Sequence, residues 1–265
     1  MPEGHTIHRL ARRHRKLFAG TKIAASSPQG RFADGARILD GQELVETTAR
    51  GKHLFYEFED GEILHVHLGL IGRFRTYTRE PPDPTDATRL VVRNDVATAY
   101  LSGPMVCDLV EPEDRDDIIG ELGPDPLYNR TDGSRIFAAL QHRRIPIGAA
   151  LLDQSIVCGI GNVYRSEILF LCGIDPRRES RSLSEEEVAC VWETARTQLR
   201  LGVNGGRIVT VDPADVGARN RRQLKKDERL YVYHRDEQPC RRCGTSIQKT
   251  ELGGRHAWFC PEEQG

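Results

Sequence analysis

The run Gly123-Pro124-Asp125-Pro126 is the strongest constraint on how this chain folds. Two prolines in three residues remove two backbone donors and push the residues before them out of the helical region. Neither a helix nor a central strand continues through such a run, so the 265 residues fall into at least two folding units. Before the break, from 21 to about 110, short β-type stretches alternate with turn residues. His53–Phe58, the Glu59-Asp60-Gly61 turn and residues 63–68 are the clearest example. This part reads as an antiparallel sandwich or barrel. A helix precedes it, because Ile7, Leu10, Ala11, His14, Leu17 and Phe18 recur at helical spacing over 4–18 and Gly20 ends the run.

After the break the periodicity is helical. Ile136, Phe137 and Leu140 share a face, and Ile147, Leu151 and Leu152 follow Pro146. A helix is expected from Asn162 to about Leu171. Ser184-Glu185-Glu186-Glu187 is a capping box that opens a further helix through Leu199. A basic, glycine-containing loop covers about 202–227, and a small cysteine-bearing module closes the chain. The expected division is 1–122, a linker over 123–130, a helical domain over 131–227 and a terminal module over 228–265.

The net charge of −1 hides a strong asymmetry. Residues 219–229 carry six basic and two acidic side chains, net +4, while 111–125 carry seven acidic and one basic, net −6. A basic face of this kind suits a polyanion, and the acidic stretch reads as solvated surface. The chain has no apolar run long enough to span a membrane and no signal-peptide core, so a cytoplasmic protein is expected. Four of the seven cysteines, Cys107, Cys158, Cys172 and Cys190, lie scattered in apolar surroundings and read as reduced core residues.

Four short motifs carry chemistry. In Pro2-Glu3, removal of Met1 exposes a secondary α-amine. Such an amine titrates near 8, against about 10.4 for lysine, so roughly a tenth is free base at neutral pH. Attack on an aldehyde carbon gives an iminium ion, an electron sink, with the Glu3 carboxyl one peptide bond away to move protons. The turn Gly159-Ile160-Gly161 delivers Asn162 to a helix N-terminus, a ready seat for phosphate. Arg50-Gly51-Lys52-His53 heads a strand and offers Lys52 as a phosphate clamp or acid/base. Leu68-Gly69-Leu70-Ile71-Gly72 closes another strand with an apolar tip suited to wedging into a base stack.

Near the end, Cys240-Arg241-Arg242-Cys243 and Cys260 have the spacing of a structural zinc site. Between them Gly253-Gly254 is expected to form a hairpin turn with Arg255 at its tip, placed for a phosphate. Glu263 follows Cys260 at knuckle spacing and is the first candidate for the fourth zinc ligand, with His256 second.

These motifs, taken in order with Leu-Gly-Pro-Asp-Pro-Leu at 122–127, resemble the formamidopyrimidine-DNA glycosylase/endonuclease VIII family. The resemblance extends over essentially the whole chain. It includes Leu151-Leu152-Asp153-Gln154 leading to Gly159-Ile160-Gly161-Asn162-Val163-Tyr164, and the Tyr231-Val232-Tyr233-His234-Arg235 approach to the first cysteine. It implies an α+β multidomain fold: a two-layer antiparallel β-sandwich with an N-terminal helix, a helix–two-turn–helix domain, and a β-hairpin zinc finger. It implies a bifunctional base-excision repair glycosylase and AP lyase that binds damaged DNA, double- or single-stranded, and flips the base out. By this likeness Pro2 is the Schiff-base nucleophile, Glu3 the proton carrier and Lys52 the cationic partner at the sugar or its 3′ phosphate. Asn162 and Arg255 grip flanking phosphates, and Leu70 with Ile71 fills the vacated stack. One structural zinc, no small-molecule cofactor, a monomer, and a cytoplasmic, nucleoid-associated location complete the expectation.

The chain departs from the family pattern in four places. Position 6 is Thr, where many relatives have a second Glu near the nucleophile. Residues 102–107 lack the Arg-Arg-Phe-Gly run of the formamidopyrimidine branch, which points to the endonuclease VIII branch and to oxidised pyrimidines. Gly69-Leu70-Ile71 stands where that branch has Gln-Leu-Tyr, and Glu263 stands where a fourth cysteine is usual. Two other classes compete with this reading. One is a catalytically inactive damaged-DNA-binding zinc protein, which the intact Pro2, Glu3 and Lys52 argue against. The other is an N-terminal-proline enzyme acting on small carbonyls, as tautomerases do, which the cysteine module and the length argue against.

Overall fold

The computed structural model of the chain describes residues 2–128, 131 and 133–265. Met1 and the last two residues of the expected linker, Asn129 and Arg130, lie outside the described residues. The chain forms two compact units, Met1–Glu121 and Leu122–Gly265.

The first unit opens with α1 (Gly4–Phe18), whose apolar positions Ile7, Ala11 and Phe18 are buried as their spacing requires. Then come β1 (Thr21–Lys22), β2 (Ala24–Ser26), α2 (Ala33–Leu39), β3 (Glu43–Arg50), β4 (His53–Phe58), β5 (Ile63–His67), β6 (Arg73–Tyr77), β7 (Thr88–Arg93), β8 (Thr98–Ser102), β9 (Val106–Val110) and α3 (Pro112–Gly120). Two antiparallel sheets form, in the orders β1-β3-β4-β5-β9 and β2-β7-β8-β6. The first sheet contributes Leu54, Tyr56, Phe58, Leu64 and Val66 to the core, and the second contributes Leu90, Val92, Ala99 and Leu101. Alternation along each strand puts these on the inner faces. The sandwich is the one expected from the alternating pattern. One polar tie crosses it. The buried His14 of α1 meets the Tyr56 hydroxyl at 2.7 Å through Nδ1 and the Thr76 hydroxyl at 2.8 Å through Nε2. The acidic stretch is α3, which buries none of its residues; Asp125, just beyond, is buried and accepts from the Leu127 amide at 2.8 Å.

The second unit holds α4 (Ser134–Gln141), α5 (Ile147–Ala150), α6 (Asn162–Leu171), α7 (Glu185–Gly205) and the hairpin of β10 (Gln248–Leu252) and β11 (Arg255–Phe259). The capping box forms as read: the Ser184 hydroxyl accepts from the Glu187 amide, and the Glu187 carboxylate accepts from the Ser184 amide. The helix it opens continues past Leu199 to Gly205, where Gly206 at φ 69° ends it in the left-handed region. One expectation is corrected. Cys172 and Cys190 are not separate reduced core thiols; they form a disulfide with Cα atoms 6.0 Å apart, joining the C-terminal cap of α6 to α7, and Cys190 is exposed. Cys107 and Cys158 are buried thiols. Among the described residues no helix is long and apolar enough to cross a membrane.

Candidate functional site

In the first unit, Pro2 and Glu3 lie at the N-terminal end of α1. Pro2 is half-buried, and Glu3 is the helix N-cap, fully buried, with its carbonyl accepting from the Thr6 amide at 2.8 Å. His5, the next buried polar residue, shares a hydrogen bond with Thr6 at 3.2 Å. Burial, helped by the N-terminal charge and Arg9, pushes its imidazole down to about 4 and keeps it uncharged at neutral pH. Helix α1 packs on β3 and β4, the strands that flank Lys52. Gly51 takes φ 57° in the turn between them, a conformation that favours glycine, and this sets the half-buried Lys52 at the head of β4.

Beside Lys52 stands a feature not read from the sequence. His53, His65 and His67 occupy one face of β4 and β5, with His53 directly opposite His67. His53 Nδ1 and His65 Nε2 are 2.9 Å apart, and the two rings stack with centroids 5.1 Å apart. His67 Nδ1 accepts from the Gly69 amide at 3.1 Å. Burial first, then the neighbouring His67 and His65 rings and the Lys52 charge, push His53 down to about 3. Burial and His67 push His65 to about 4 against the opposing pull of Asp108. Lys52 therefore sits beside three uncharged rings. The signal was present as strand parity: positions 53, 65 and 67 share a face once 53–58 and 63–67 pair.

The tip after β5 is apolar and outward, with Leu70 61% and Ile71 80% exposed. Met105, 67% exposed, adjoins it from the β8–β9 turn, where its amide donates to the His67 carbonyl at 2.8 Å. A Cβ on Gly69 would come within 2.9 Å of the Met105 Cβ, so glycine permits this approach. Met105 was not expected from the sequence.

In the second unit, Asn162 is the first residue of α6, and Gly253 (φ 59°) and Gly254 (φ 70°) make the turn that places exposed Arg255 first on β11. The structure brings these two phosphate-seat candidates together. Asn162 Nδ2 donates to the carbonyl of His256 at 3.1 Å. The fully buried Arg165, one turn along α6, donates to the same carbonyl at 2.6 Å, to Gly148 O at 3.0 Å and to Asn162 Oδ1. Glu167, also fully buried, accepts from the amides of Tyr231, Val232 and Tyr233 at 2.8 to 2.9 Å and from the Thr210 hydroxyl. These two charged residues dock the hairpin and its lead-in segment onto α6. For Arg165 the spacing of three from Asn162, which shares a helix face with it, was the available clue.

The thiols of Cys240, Cys243 and Cys260 lie within 4.8 Å of one another. The Cys240–Gly244 loop is knuckled: Gly244 N donates to Cys240 O at 3.0 Å, and Arg242 N approaches Cys240 Sγ at 3.5 Å. Thiolates this close, on a tight turn with amides aimed at sulfur, fit a tetrahedral zinc with bonds of about 2.3 Å. Glu263 is outside this group, its carboxylate lying 3.6 Å from Arg242 Nη1, and His256 is exposed on β11.

Comparison with known proteins agrees with this layout. Residues 1–102 match the N-terminal domain of formamidopyrimidine-DNA glycosylase, residues 122–212 its H2TH domain, and residues 237–262 the zinc finger found in FPG and IleRS. Fold and site thus define a DNA glycosylase of base excision repair with a structural zinc finger. The chain is 41% identical over 266 residues to "Endonuclease 8 1" of Mycobacterium tuberculosis, covering 98% of each. It is 33% identical to a formamidopyrimidine-DNA glycosylase of Sodalis glossinidius, covering 84% of this chain and 82% of that one. The MutM (FPG) protein of Thermus thermophilus superposes with a TM-score of 0.80 at 31% identity, over 100% of this chain and 99% of that one. The chain belongs to the formamidopyrimidine-DNA glycosylase/endonuclease VIII family.

Proposed function

We propose that this protein is a bifunctional glycosylase and AP lyase that favours oxidised pyrimidines in DNA. The observation that carries the reading is Pro2, followed by a fully buried Glu3, at the head of α1 in a chain of this family. After removal of Met1 the amine lies at the positive end of the helix macrodipole, which disfavours an ammonium there. The amine nitrogen bonds to C1′ as the glycosidic bond breaks and the base leaves with its electron pair, protonated on departure. Ring opening gives an iminium ion. That cation acidifies the C2′ proton; its removal, with Glu3 as carrier, expels the 3′ phosphate by β-elimination. A second proton loss expels the 5′ phosphate by δ-elimination. Lys52 supplies positive charge at the sugar or the departing 3′ phosphate. Asn162 and Arg255 hold the flanking phosphates, and Leu70, Ile71 and Met105 fill the space left by the extruded nucleotide.

The pyrimidine preference rests on residues 102–107, which lack the Arg-Arg-Phe-Gly run, and on the greater identity to the endonuclease 8 relative. Action on chromosomal DNA places the protein in the cytoplasm at the nucleoid. Borohydride reduction on a duplex containing an abasic site or thymine glycol tests the mechanism. A covalent adduct is expected, lost when Met1 is retained by an added N-terminal extension. Undiminished trapping by the blocked protein assigns the nucleophile to a side-chain amine instead. Single-turnover rates are expected to be faster for thymine glycol and 5-hydroxyuracil than for 8-oxoguanine opposite cytosine. The reverse order overturns the lesion assignment.

A further inference from the structure

The basic stretch over 219–229 has no part in the site described above, and Arg221 and Arg222 from it border an open cleft. A space of about 650 Å³ at the C-terminal end of α7 is lined by Leu201, Asn204, Arg207, Val209, Arg221 and Arg222. Three guanidiniums and no carboxylate belong to this lining. Among the described residues no carboxylate stands within ion-pairing distance of Arg207, Arg221 or Arg222. The loop that brings them together is built. Arg221 Nη1 donates to the Val209 carbonyl at 2.9 Å, the Asn220 side chain accepts from the Arg222 amide at 3.0 Å, and Gln223 accepts from the Arg219 amide at 3.1 Å.

Cations near a helix C-terminus ordinarily answer the helix macrodipole. That end carries only about half a negative charge, which does not offset three guanidiniums around one cavity. Arg207 and Arg222 are exposed, so their guanidiniums are open to an anion arriving from solvent, and three neighbouring positive charges attract one. Guanidiniums are the side chains best matched to phosphate oxygens. The volume exceeds that of a phosphate alone, and Leu201 with Val209 offers an apolar wall for an adjoining sugar.

We infer that Arg207, Arg221 and Arg222 form a second DNA-backbone site, which takes a phosphodiester of the bound strand independently of Asn162 and Arg255. This inference rests on the proposed DNA-processing function and extends it. Affinity for a short undamaged duplex, measured against salt concentration, tests it with wild type, Arg207→Gln/Arg222→Gln and Arg207→Lys/Arg222→Lys. Arg221 is left intact because it also ties the loop to Val209. The Gln variant is expected to show a log–log salt slope shallower by about one, the signature of one lost phosphate contact. The Lys variant is expected to keep most of the slope. An unchanged melting midpoint shows that the fold is retained. Equal slopes in wild type and the Gln variant, with wild type binding DNA, overturn the inference and leave the function standing. Failure of wild type to bind any DNA overturns both. A parallel titration with thymidine 5′-monophosphate separates the sources of phosphate: binding there, with equal duplex slopes, assigns the pocket to a free nucleotide and overturns the DNA assignment.

Discussion

The buried guanidinium of Arg165 donates to the backbone carbonyl of His256 at 2.6 Å, and this bond fixes where Arg255 stands relative to the N-terminus of α6. The same group satisfies Gly148 O and Leu252 O, so one side chain joins α5, α6 and both strands of the hairpin. Arg165→Met keeps the apolar stem and removes the donors. Each buried carbonyl left short of a donor costs about 1–3 kcal/mol, and His256 O retains the Asn162 bond. A loss of about 3 kcal/mol is expected in denaturant unfolding, together with weaker DNA binding. A loss below about 1 kcal/mol shows that the hairpin docks by apolar packing alone.

Lys52 and Arg255 are expected to fail differently when cut to alanine. Arg255 is exposed on a rigid turn, so its loss should weaken affinity and make the salt slope shallower by about one, with little effect on the step after binding. Lys52 is half-buried beside uncharged imidazoles, so its charge is less screened by solvent. Its loss should lower the single-turnover rate at saturating enzyme by about a hundredfold or more. Losses confined to affinity in both variants reduce Lys52 to a clamp.

The histidines give the first unit an acid-sensitive window. An unfolded histidine titrates near 6.5, whereas burial with neighbouring positive charge holds His53 at about 3 and His65 at about 4, and burial with Arg13 nearby holds His14 at about 3. Below 6.5 the unfolded chain takes up protons that the folded unit refuses. The stability due to these groups is therefore complete above about 6.5 and is lost progressively as pH falls toward about 3. Thermal midpoints should be level above pH 7 and fall through that window. The fall should be shallower for His53→Phe/His65→Phe, which replaces the ring pair without the titration. An unchanged slope in that variant assigns the acid sensitivity elsewhere.

The parts of this molecule that were legible in the sequence are those set by local rules. The Ser184–Glu187 box, the Gly253-Gly254 turn and the three-cysteine spacing each depend on residues close in sequence, and each forms as read. What was missed depends on register and packing. Three histidines become a cluster only when β4 pairs with β5 with position 53 opposite 67, and Met105 reaches Gly69 only across two turns. Cys172 and Cys190 are 18 residues apart, and only the packing of α6 against α7 makes them a pair. Arg165 and Glu167 look like ordinary surface charges on a helix until the hairpin and residues 231–233 cover them.

The finger provides the last prediction. Cys240, Cys243 and Cys260 supply three thiolates, and zinc near one per chain is expected in protein purified without chelator. The fourth ligand is proposed to be Glu263, three residues after Cys260, whose carboxylate rests against Arg242. His256 projects from β11 four residues before Cys260, and along an extended strand that is about 13 Å of chain. Zinc content and resistance to chelator should therefore drop in Glu263→Ala and hold in His256→Ala. Trp258 packs in the same small core as Cys240 and Cys260 and donates its indole N–H to Asp236 at 2.8 Å. Its fluorescence gives a readout independent of activity: stripping zinc should loosen the hairpin and shift its emission, and returning zinc should restore it. Retention of full zinc by Glu263→Ala assigns the fourth position to a group other than Glu263. Zinc-free wild type with unshifted Trp258 emission means that hairpin packing alone holds the finger.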